Sequence, residues 1–324
     1  MSNVEFAILG AGAMGSIVGA HLARAGHSVV MLVRERRARQ IQADGLRIKG
    51  LAEFSTPVRT IVDPSELQSA DNFVLTTKAI GTAAALEPFR GARIGAAFSI
   101  QNGVMKNELL TAAFAQTRIL GALANFSGEL LPSGETLFTR NVNLTLGDLD
   151  GSVGQRALEI ARALEASGVR SSAVANIRGQ EWSKFAAWIG LAALAVTTRA
   201  STWKYLIDDG AARVLVQLVR EVGTLAAASG VELTDQSMFP IATICSGTEQ
   251  AAIEIVLGYG AEYRVSSPNH RMSTLQDLEA HRPLELDETF GFAARKAAEL
   301  NLRLPLLETF YPVLRAIDRA ERLS

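Results

Sequence analysis

Hydrophobic and polar positions give the chain two different rhythms. Over roughly the first 175 residues, short runs rich in β-branched residues alternate with stretches of helical spacing. Residues 4–9 and 28–33 read as strands, and 13–25 between them as a helix closed by Gly26. Further strands are expected at 72–76, 93–100, 118–124 and 142–146, with helices at 81–89 and 105–115. Strands alternating with helices predict a mostly parallel, doubly wound sheet with helices on its faces. Residues 128–146 depart from this rhythm. Turn signals at Pro132-Ser133-Gly134 and at Thr139-Arg140-Asn141 predict a β-meander added to the sheet.

After a helix at 155–166 and a short strand at 169–174, the alternation stops. From Asn176 the pattern is helical: 181–196, 211–229, 273–280, 286–300 and 306–319, with Gly230 as a stop and Pro305 as a start. The expected architecture is an α/β N-terminal Rossmann domain over 1–174 followed by an all-α domain over 175–324. No low-complexity linker separates the halves and no repeat is visible. The apolar stretch 185–196 is too short to span a bilayer and Arg199 follows it, so it reads as a buried core helix.

Composition narrows the classes. At 324 residues the chain suits two domains. A formal net charge of -1 lacks the basic surplus of a nucleic-acid partner. The single cysteine, Cys245, cannot form an intramolecular disulfide, so the fold does not depend on an oxidising compartment. The residues after Met1 carry no basic n-region, and a cytoplasmic location with no membrane partner is expected. The four histidines have no metal-ligand spacing. A long apolar helical half is compatible with a homodimer.

The chemistry begins at Gly10-Ala11-Gly12-Ala13-Met14-Gly15, a GxGxxG element that directly follows one expected strand and opens the next helix. In that setting Gly10 permits the tight turn, Gly12 lets the backbone approach a pyrophosphate, and Gly15 allows close helix–strand packing. The helix N-terminus offers free N–H groups to the anion. Enzymes that use NAD place an acid at the end of the second strand. Here that position reads Val33-Arg34, and Glu35-Arg36-Arg37 follows. An arginine there can hold a 2′-phosphate through bidentate hydrogen bonds, which favours NADP(H), with Arg34 as the ligand. The other arginines, 36, 37 and 39, also suit a solvated helix face, and Glu35 suits pairing with one of them.

Taken together, GAGAMG at 10–15, Arg34, TTKA at 76–79, QNGV at 101–104, Trp182-x-Lys184, MSTLQDLE at 272–279 and LELDETFG at 284–291 resemble the ketopantoate reductase (2-dehydropantoate 2-reductase) family over nearly the whole chain. The resemblance implies NADPH-dependent reduction of a 2-oxo acid. It also implies roles by position. Lys78 resembles the lysine near the adenosine phosphate or ribose, and Asn102 the asparagine between nicotinamide and substrate. Lys184 resembles the catalytic lysine, Ser273 a serine on the substrate's polar end, and Glu285 the glutamate near the substrate hydroxyl and the nicotinamide ribose.

The residue types suit that chemistry. Hydride delivery to a ketone develops negative charge on its oxygen, which an ammonium stabilises and protonates. Lys184 is expected on an apolar helix, where burial would lower its pKa toward working pH. Asn102-Gly103 also suits a plain turn, Ser273-x-x-Gln276 a capping box, and Glu285 and Asp287 helix N-terminal charge. Family asparagines are replaced by Trp188 and Ala192 on the lysine helix and by His270 before Ser273, and Gly121-Ala122-Leu123-Ala124-Asn125 replaces a threonine-rich stretch. The substrate wall is therefore expected to be more apolar than ketopantoate requires. A relative acting on a different 2-oxo acid, of the D-2-hydroxyacid dehydrogenase type, and a non-catalytic NADPH-binding protein stand beside the first reading. A β-hydroxyacid dehydrogenase is disfavoured by Trp188.

Overall fold

The computed structural model describes residues 4–114 and 118–323. It divides into two compact units. The first holds the chain up to Asn102 together with Lys106–Ile177; the second holds Gly103–Met105 and the chain from Arg178 onward.

In the first unit, β1 (Phe6–Leu9), α1 (Ala13–Arg24), β2 (Val29–Leu32) and α2 (Glu35–Asp44) lead into three short strands, β3 (Leu46–Gly50), β4 (Phe54–Thr56) and β5 (Arg59–Ile61). Then follow β6 (Ser69–Leu75), α3 (Thr82–Leu86), β7 (Arg93–Ser99), α4 (Met105–Ala113), β8 (Arg118–Leu130), β9 (Thr136–Asp148), α5 (Gln155–Ser167) and β10 (Ser171–Ala173). The expected end of α4 at residue 115 lies outside the described residues. Strands pair in the order β4-β3-β9-β8-β7-β6-β1-β2-β5, and β10 pairs with β9. The run β5-β2-β1-β6-β7-β8 is parallel throughout and follows the doubly wound dinucleotide-fold order, with the direction of winding reversing between β1 and β6. Strand alternation sends Phe6 and Ile8 into one core and Ala7 into another, so the sheet is apolar on both faces.

The turn at Pro132-Ser133-Gly134 is present, but Thr139-Arg140-Asn141 is not a turn. It lies inside β9, which pairs antiparallel with β8 over almost its whole length, in a single long hairpin rather than a meander. The ladder shifts register at Ala124/Phe126 and Ser127/Gly128, opposite this segment. The turn-forming side chain of Asn141 is engaged elsewhere: its Nδ2 donates to Gly168 O (3.0 Å) and its Oδ1 accepts from Arg170 N (3.1 Å).

His21 lies in this unit's core, 4% exposed. Its Nδ1 meets Ile17 O at 2.8 Å and its ring packs edge-on against Phe54 and Phe138. Burial holds its pKa below the ordinary 6.5, against the raising effect of the Ile17 carbonyl. Above pH 6.5 the ring is neutral in folded and unfolded chain alike. As pH falls below that value the unfolded chain takes up a proton that the folded one refuses, so stability declines by up to about 1.4 kcal/mol per pH unit until the folded pKa is reached. Thermal melts between pH 7.5 and 5 (about that range) should show His21→Leu losing less stability on acidification than the parent. Parallel slopes would exclude His21 as the source.

The second unit is helical: α6 (Ile177–Thr198), α7 (Thr202–Leu206), α8 (Asp209–Ala228), α9 (Ile241–Ser246), α10 (Glu249–Ser266), α11 (Ser273–Glu279), α12 (Phe290–Glu299) and α13 (Pro305–Glu321). Asp208 and Thr248 cap α8 and α10 by accepting from Ala211 N and Ala251 N. On α8, Ala212, Leu215, Val216, Val219, Val222 and Ala226 form the apolar stripe that a 3.6-residue period predicts. α12 starts at Phe290, four residues later than the expected 286, because residues 286–289 form turns in which Gly291 N donates to Leu286 O. No helix among the described residues is long and apolar enough to cross a membrane.

Candidate active site

The residues expected from the sequence to carry the chemistry fall in both units. In the first, β1 runs into the glycine loop at the point where the winding reverses. Gly10 has φ +105°, which only glycine adopts without strain. Thr76, just past β6, donates from Oγ1 to Leu9 O (3.0 Å) and Gly10 O (2.8 Å), fastening the loop to the neighbouring strand end. Gly15 packs against these same groups: a Cβ there would lie well inside the Gly10 carbonyl oxygen and Thr76 Oγ1. Gly12 caps α1 and is exposed, and a Cβ on it would meet nothing within 4 Å. Ala11, Ala13 and Met14 complete the turn. The first-turn amides of α1 have no acceptor within the helix. The loop thus combines an open backbone face with oriented N–H groups, the arrangement a pyrophosphate requires.

At the end of β2, Arg34 is the N-cap residue of α2 and is exposed, and no hydrogen bond or ion pair engages its guanidinium among the described residues. The neighbouring charges are sorted differently. Glu35 pairs with Arg39 at 3.3 Å, as expected of a solvated helix face. Arg37 leaves the solvated face and is held by backbone. Lys78 is exposed beyond β6, and its carbonyl accepts from Gln101 Nε2 (3.2 Å).

Asn102 follows β7 and is partly exposed, and its side-chain amide makes no hydrogen bond among the described residues. Its predecessor is anchored heavily. Gln101 Nε2 also donates to Thr82 Oγ1 (2.8 Å), and Ser99 Oγ donates to Gln101 Oε1 (3.2 Å). Lys106, only 4% exposed, donates from Nζ to Gln101 O (3.1 Å) and Ala122 O (2.6 Å). Sequence reasoning missed Lys106. The available signal was a lysine in the first turn of a helix, where the dipole disfavours a cation unless carbonyls compensate.

In the second unit, α6 is packed on every face: from Gly179 to Val196 the one residue not buried is Lys184, and the buried ones include the polar Gln180, Glu181 and Ser183. Its neighbours Ser183, Phe185, Ala186 and Ala187 are at most 2% exposed. The lysine is half-buried rather than fully buried.

Ser273 is exposed and is the first residue of α11. The expected capping box is absent: Met272 is the N-cap, and Gln276 Nε2 donates to Arg271 O instead. No hydrogen bond engages the Ser273 hydroxyl among the described residues. Glu285 is 8% exposed, and its carbonyl accepts from Thr289 Oγ1 (2.5 Å). Glu288, also missed in the sequence, is half-buried. Burial, with Asp287 and Glu285 nearby, raises its pKa above the ordinary carboxylate value. Asp287 takes structural work, accepting from Tyr311 (2.5 Å) and pairing with Arg315 (3.4 Å).

The departures from the family pattern are also placed. Trp188, one turn beyond Lys184, packs against Phe290 with ring centroids 6.2 Å apart, and its indole N–H is sealed without a hydrogen bond. Ala192 is fully buried. His270 Nδ1 is engaged by Thr202 Oγ1 at 2.9 Å.

Comparison with known proteins gives a consistent result. Residues 6–151 match the family model described as ketopantoate reductase PanE/ApbA, and residues 176–318 match its C-terminal counterpart. A 2-dehydropantoate 2-reductase from Archaeoglobus fulgidus is 24% identical over 311 residues, covering 96% of this chain and 97% of that protein. The crystal structure of a PanE/ApbA family ketopantoate reductase from Ralstonia eutropha JMP134 superposes with a TM-score of 0.82 at 25% identity, covering 98% of this chain and all of the other. The ternary structure of a D-mandelate dehydrogenase with NADH and anilino(oxo)acetate shares the fold, with a TM-score of 0.80 at 18% identity and 98% and 99% coverage.

Proposed function

The chain belongs to the ketopantoate reductase family, and from that premise we propose that it reduces a 2-oxo acid to the 2-hydroxy acid with NADPH, 2-dehydropantoate being the substrate and Lys184 the proton donor. Family members are oxidoreductases acting on CH–OH. The observation that carries the residue-level reading is the solitary exposure of Lys184 on a helix otherwise buried from Gly179 to Val196. A lysine on so buried a helix gives up much of the solvation that a surface lysine keeps, and a chemical role explains its retention better than packing does.

The glycine loop, with Gly12 open and α1 amides oriented, suits the coenzyme's pyrophosphate, and the uncommitted Arg34 suits a 2′-phosphate. The bound coenzyme supplies the hydride. Lys184 stabilises the oxygen on which negative charge grows and transfers a proton from Nζ to it, completing the hydroxyl; water then reprotonates the amine. Asn102 offers its side-chain amide to orient the reacting carbonyl. Ser273 offers a free hydroxyl to the polar end of the substrate, and Glu285 a buried carboxyl to its hydroxyl. Lys78 supplies positive charge on the coenzyme side.

A second reading keeps the reaction and changes the substrate to a bulkier, more apolar 2-oxo acid. It is favoured by Trp188, whose N–H is sealed, and by Ala192 and His270, none of which offers the amide that a hydroxylated substrate would use. NADPH oxidation followed by absorbance with 2-dehydropantoate and with branched and aromatic 2-oxo acids separates the two. Saturating turnover of 2-dehydropantoate, with kcat/KM at least about tenfold above the others, is expected from the first. The reverse order establishes the second. Tight NADPH binding with no turnover of any carbonyl would leave a binding protein and end both.

A further inference from the structure

The Arg37 guanidinium holds a junction that neither proton transfer nor 2′-phosphate recognition accounts for. From α2, its Nε donates to Ala11 O (3.1 Å) and its Nη2 to Ser16 Oγ (3.1 Å). Its Nη1 donates to Gly134 O (2.9 Å) and Gln40 Oε1 (2.7 Å). Most of the donors of the fork are thus committed within the first unit, unlike those of Arg34. Burial lowers its pKa from the usual arginine value, yet a guanidinium stays charged at any working pH.

The consequence falls on one peptide group. A trans peptide is planar, so the Ala11 carbonyl and the Gly12 N–H point in opposite directions. Ala11 O accepts from both Arg37 Nε and Ser16 Oγ (3.2 Å). Holding that oxygen toward α2 turns the Gly12 N–H the other way, on the residue whose Cβ direction is open. The same guanidinium reaches the tip of the β8–β9 hairpin at Gly134. Gln40 Nε2 and Arg47 Nη2 reinforce that attachment through Ser133 O (3.1 and 3.2 Å).

We propose that Arg37 is a positioning residue for the coenzyme pyrophosphate: it fixes the Ala11–Gly12 peptide so that the Gly12 N–H faces the anion, and it couples that orientation to the hairpin tip. The proposal rests on the glycine loop being the dinucleotide site and is independent of which carbonyl is reduced. It gives the hairpin, an addition to the parallel sheet, a part in coenzyme binding. It also separates two arginines three residues apart: Arg34 meets the ligand, and Arg37 shapes the loop that meets it.

Fluorescence titrations with NADPH and NADH test this on Arg37→Met, Arg37→Lys and, for contrast, Arg34→Ala. Arg37→Met is expected to weaken both coenzymes together, by about tenfold or more, with their ratio kept within about twofold because no 2′-phosphate contact is lost. Arg37→Lys should restore part of the affinity, since one donor can still reach a single acceptor. Arg34→Ala should weaken NADPH alone. A selective loss of NADPH affinity in Arg37→Met would make Arg37 a phosphate ligand and overturn the proposal, as would unchanged affinity for both. Should Arg37→Met melt below the assay temperature, Ser16→Ala removes the other donor to Ala11 O and must weaken both coenzymes in the same proportion, or the proposal fails. Failure of the unsubstituted protein to bind either coenzyme would defeat the dinucleotide reading itself, and is seen before any variant is made. Failure to turn over a carbonyl leaves these titrations unaffected.

Discussion

Lys184→Ala is expected to lower kcat for 2-oxo acid reduction by about 10²–10⁴-fold, the range over which a positioned general acid contributes. The argument starts from the charge that hydride delivery places on the carbonyl oxygen. Without Nζ that charge must be met by water, which offers neither a fixed donor nor a permanent positive charge. The substitution should leave the fold intact, because α6 packs through the residues around Lys184 and the lysine itself is only half-buried. The NADPH dissociation constant should stay close to that of the parent, since the glycine loop, Arg34 and Lys78, read as holding the coenzyme's phosphates, belong to the other unit. Lys184→Arg keeps the charge but holds its proton too tightly to act as an acid, so it should recover ground-state affinity more than rate. In the parent, kcat should fall as pH rises through the titration of the amine, and that limb should vanish in both variants. Steady-state kinetics across pH, with melting curves in parallel, checks this. A Lys184→Ala enzyme with unimpaired kcat would remove the mechanism.

How far the sequence carried the fold depends on how each element is held. The parallel core was legible because β1, β2, β6 and β7 are buried on both faces and read as compact apolar runs. The three-residue strands β4 and β5 were not, because they sit at the ends of the sheet and carry little apolar pattern. The 18-residue α10 also went unseen. It buries only Ala252, Ile253, Val256 and Gly260, so it lacks a strong stripe, and Gly260 is retained for close approach to the backbone at Leu206. In the hairpin, Thr139–Asn141 gave the composition of a turn, but cross-strand hydrogen bonds and the tail after α5 decided otherwise. Local propensity lost there to long-range pairing.

The candidate site was legible where a motif fixes backbone geometry and opaque where side chains act through tertiary contacts. GxGxxG announces its turn in consecutive residues, so Gly10, Gly12 and Gly15 could be assigned from spacing. Arg37 looked like one more solvated arginine, because its acceptors at Ala11 and Gly134 are 26 and 97 residues away. Lys106 was hidden for the same reason, with one of its two acceptors on β8. Ser273 was predicted to cap a helix that Met272 in fact precedes, which leaves its hydroxyl uncommitted.

Gly15→Ala and Gly12→Ala should behave oppositely in the absence of ligand, although they lie three residues apart in one motif. A Cβ at Gly15 collides with the Gly10 carbonyl oxygen and with Thr76 Oγ1, and neither can give way cheaply. The first is backbone in a glycine-only conformation at φ +105°, and the second is committed to Leu9 O and Gly10 O. Either α1 must lift from the sheet or the turn must open, at a cost of about 1–3 kcal/mol, typical of overpacking. Both responses displace the first-turn amides, so the NADPH dissociation constant should rise by about 100-fold, and the melting temperature should fall as well. At Gly12 the φ is -71°, and a Cβ meets nothing within 4 Å. Gly12→Ala should therefore melt almost as the parent does, losing at most about 1 kcal/mol at the cap. It should nevertheless lose coenzyme affinity, because the methyl occupies the side from which the pyrophosphate approaches. Calorimetric melts and NADPH titrations on the two variants read this directly. A Gly15→Ala protein with parental stability and affinity would contradict the close packing of α1 on the loop. A Gly12→Ala protein that binds NADPH normally would show that the anion approaches from elsewhere, and the coenzyme would have to be placed anew.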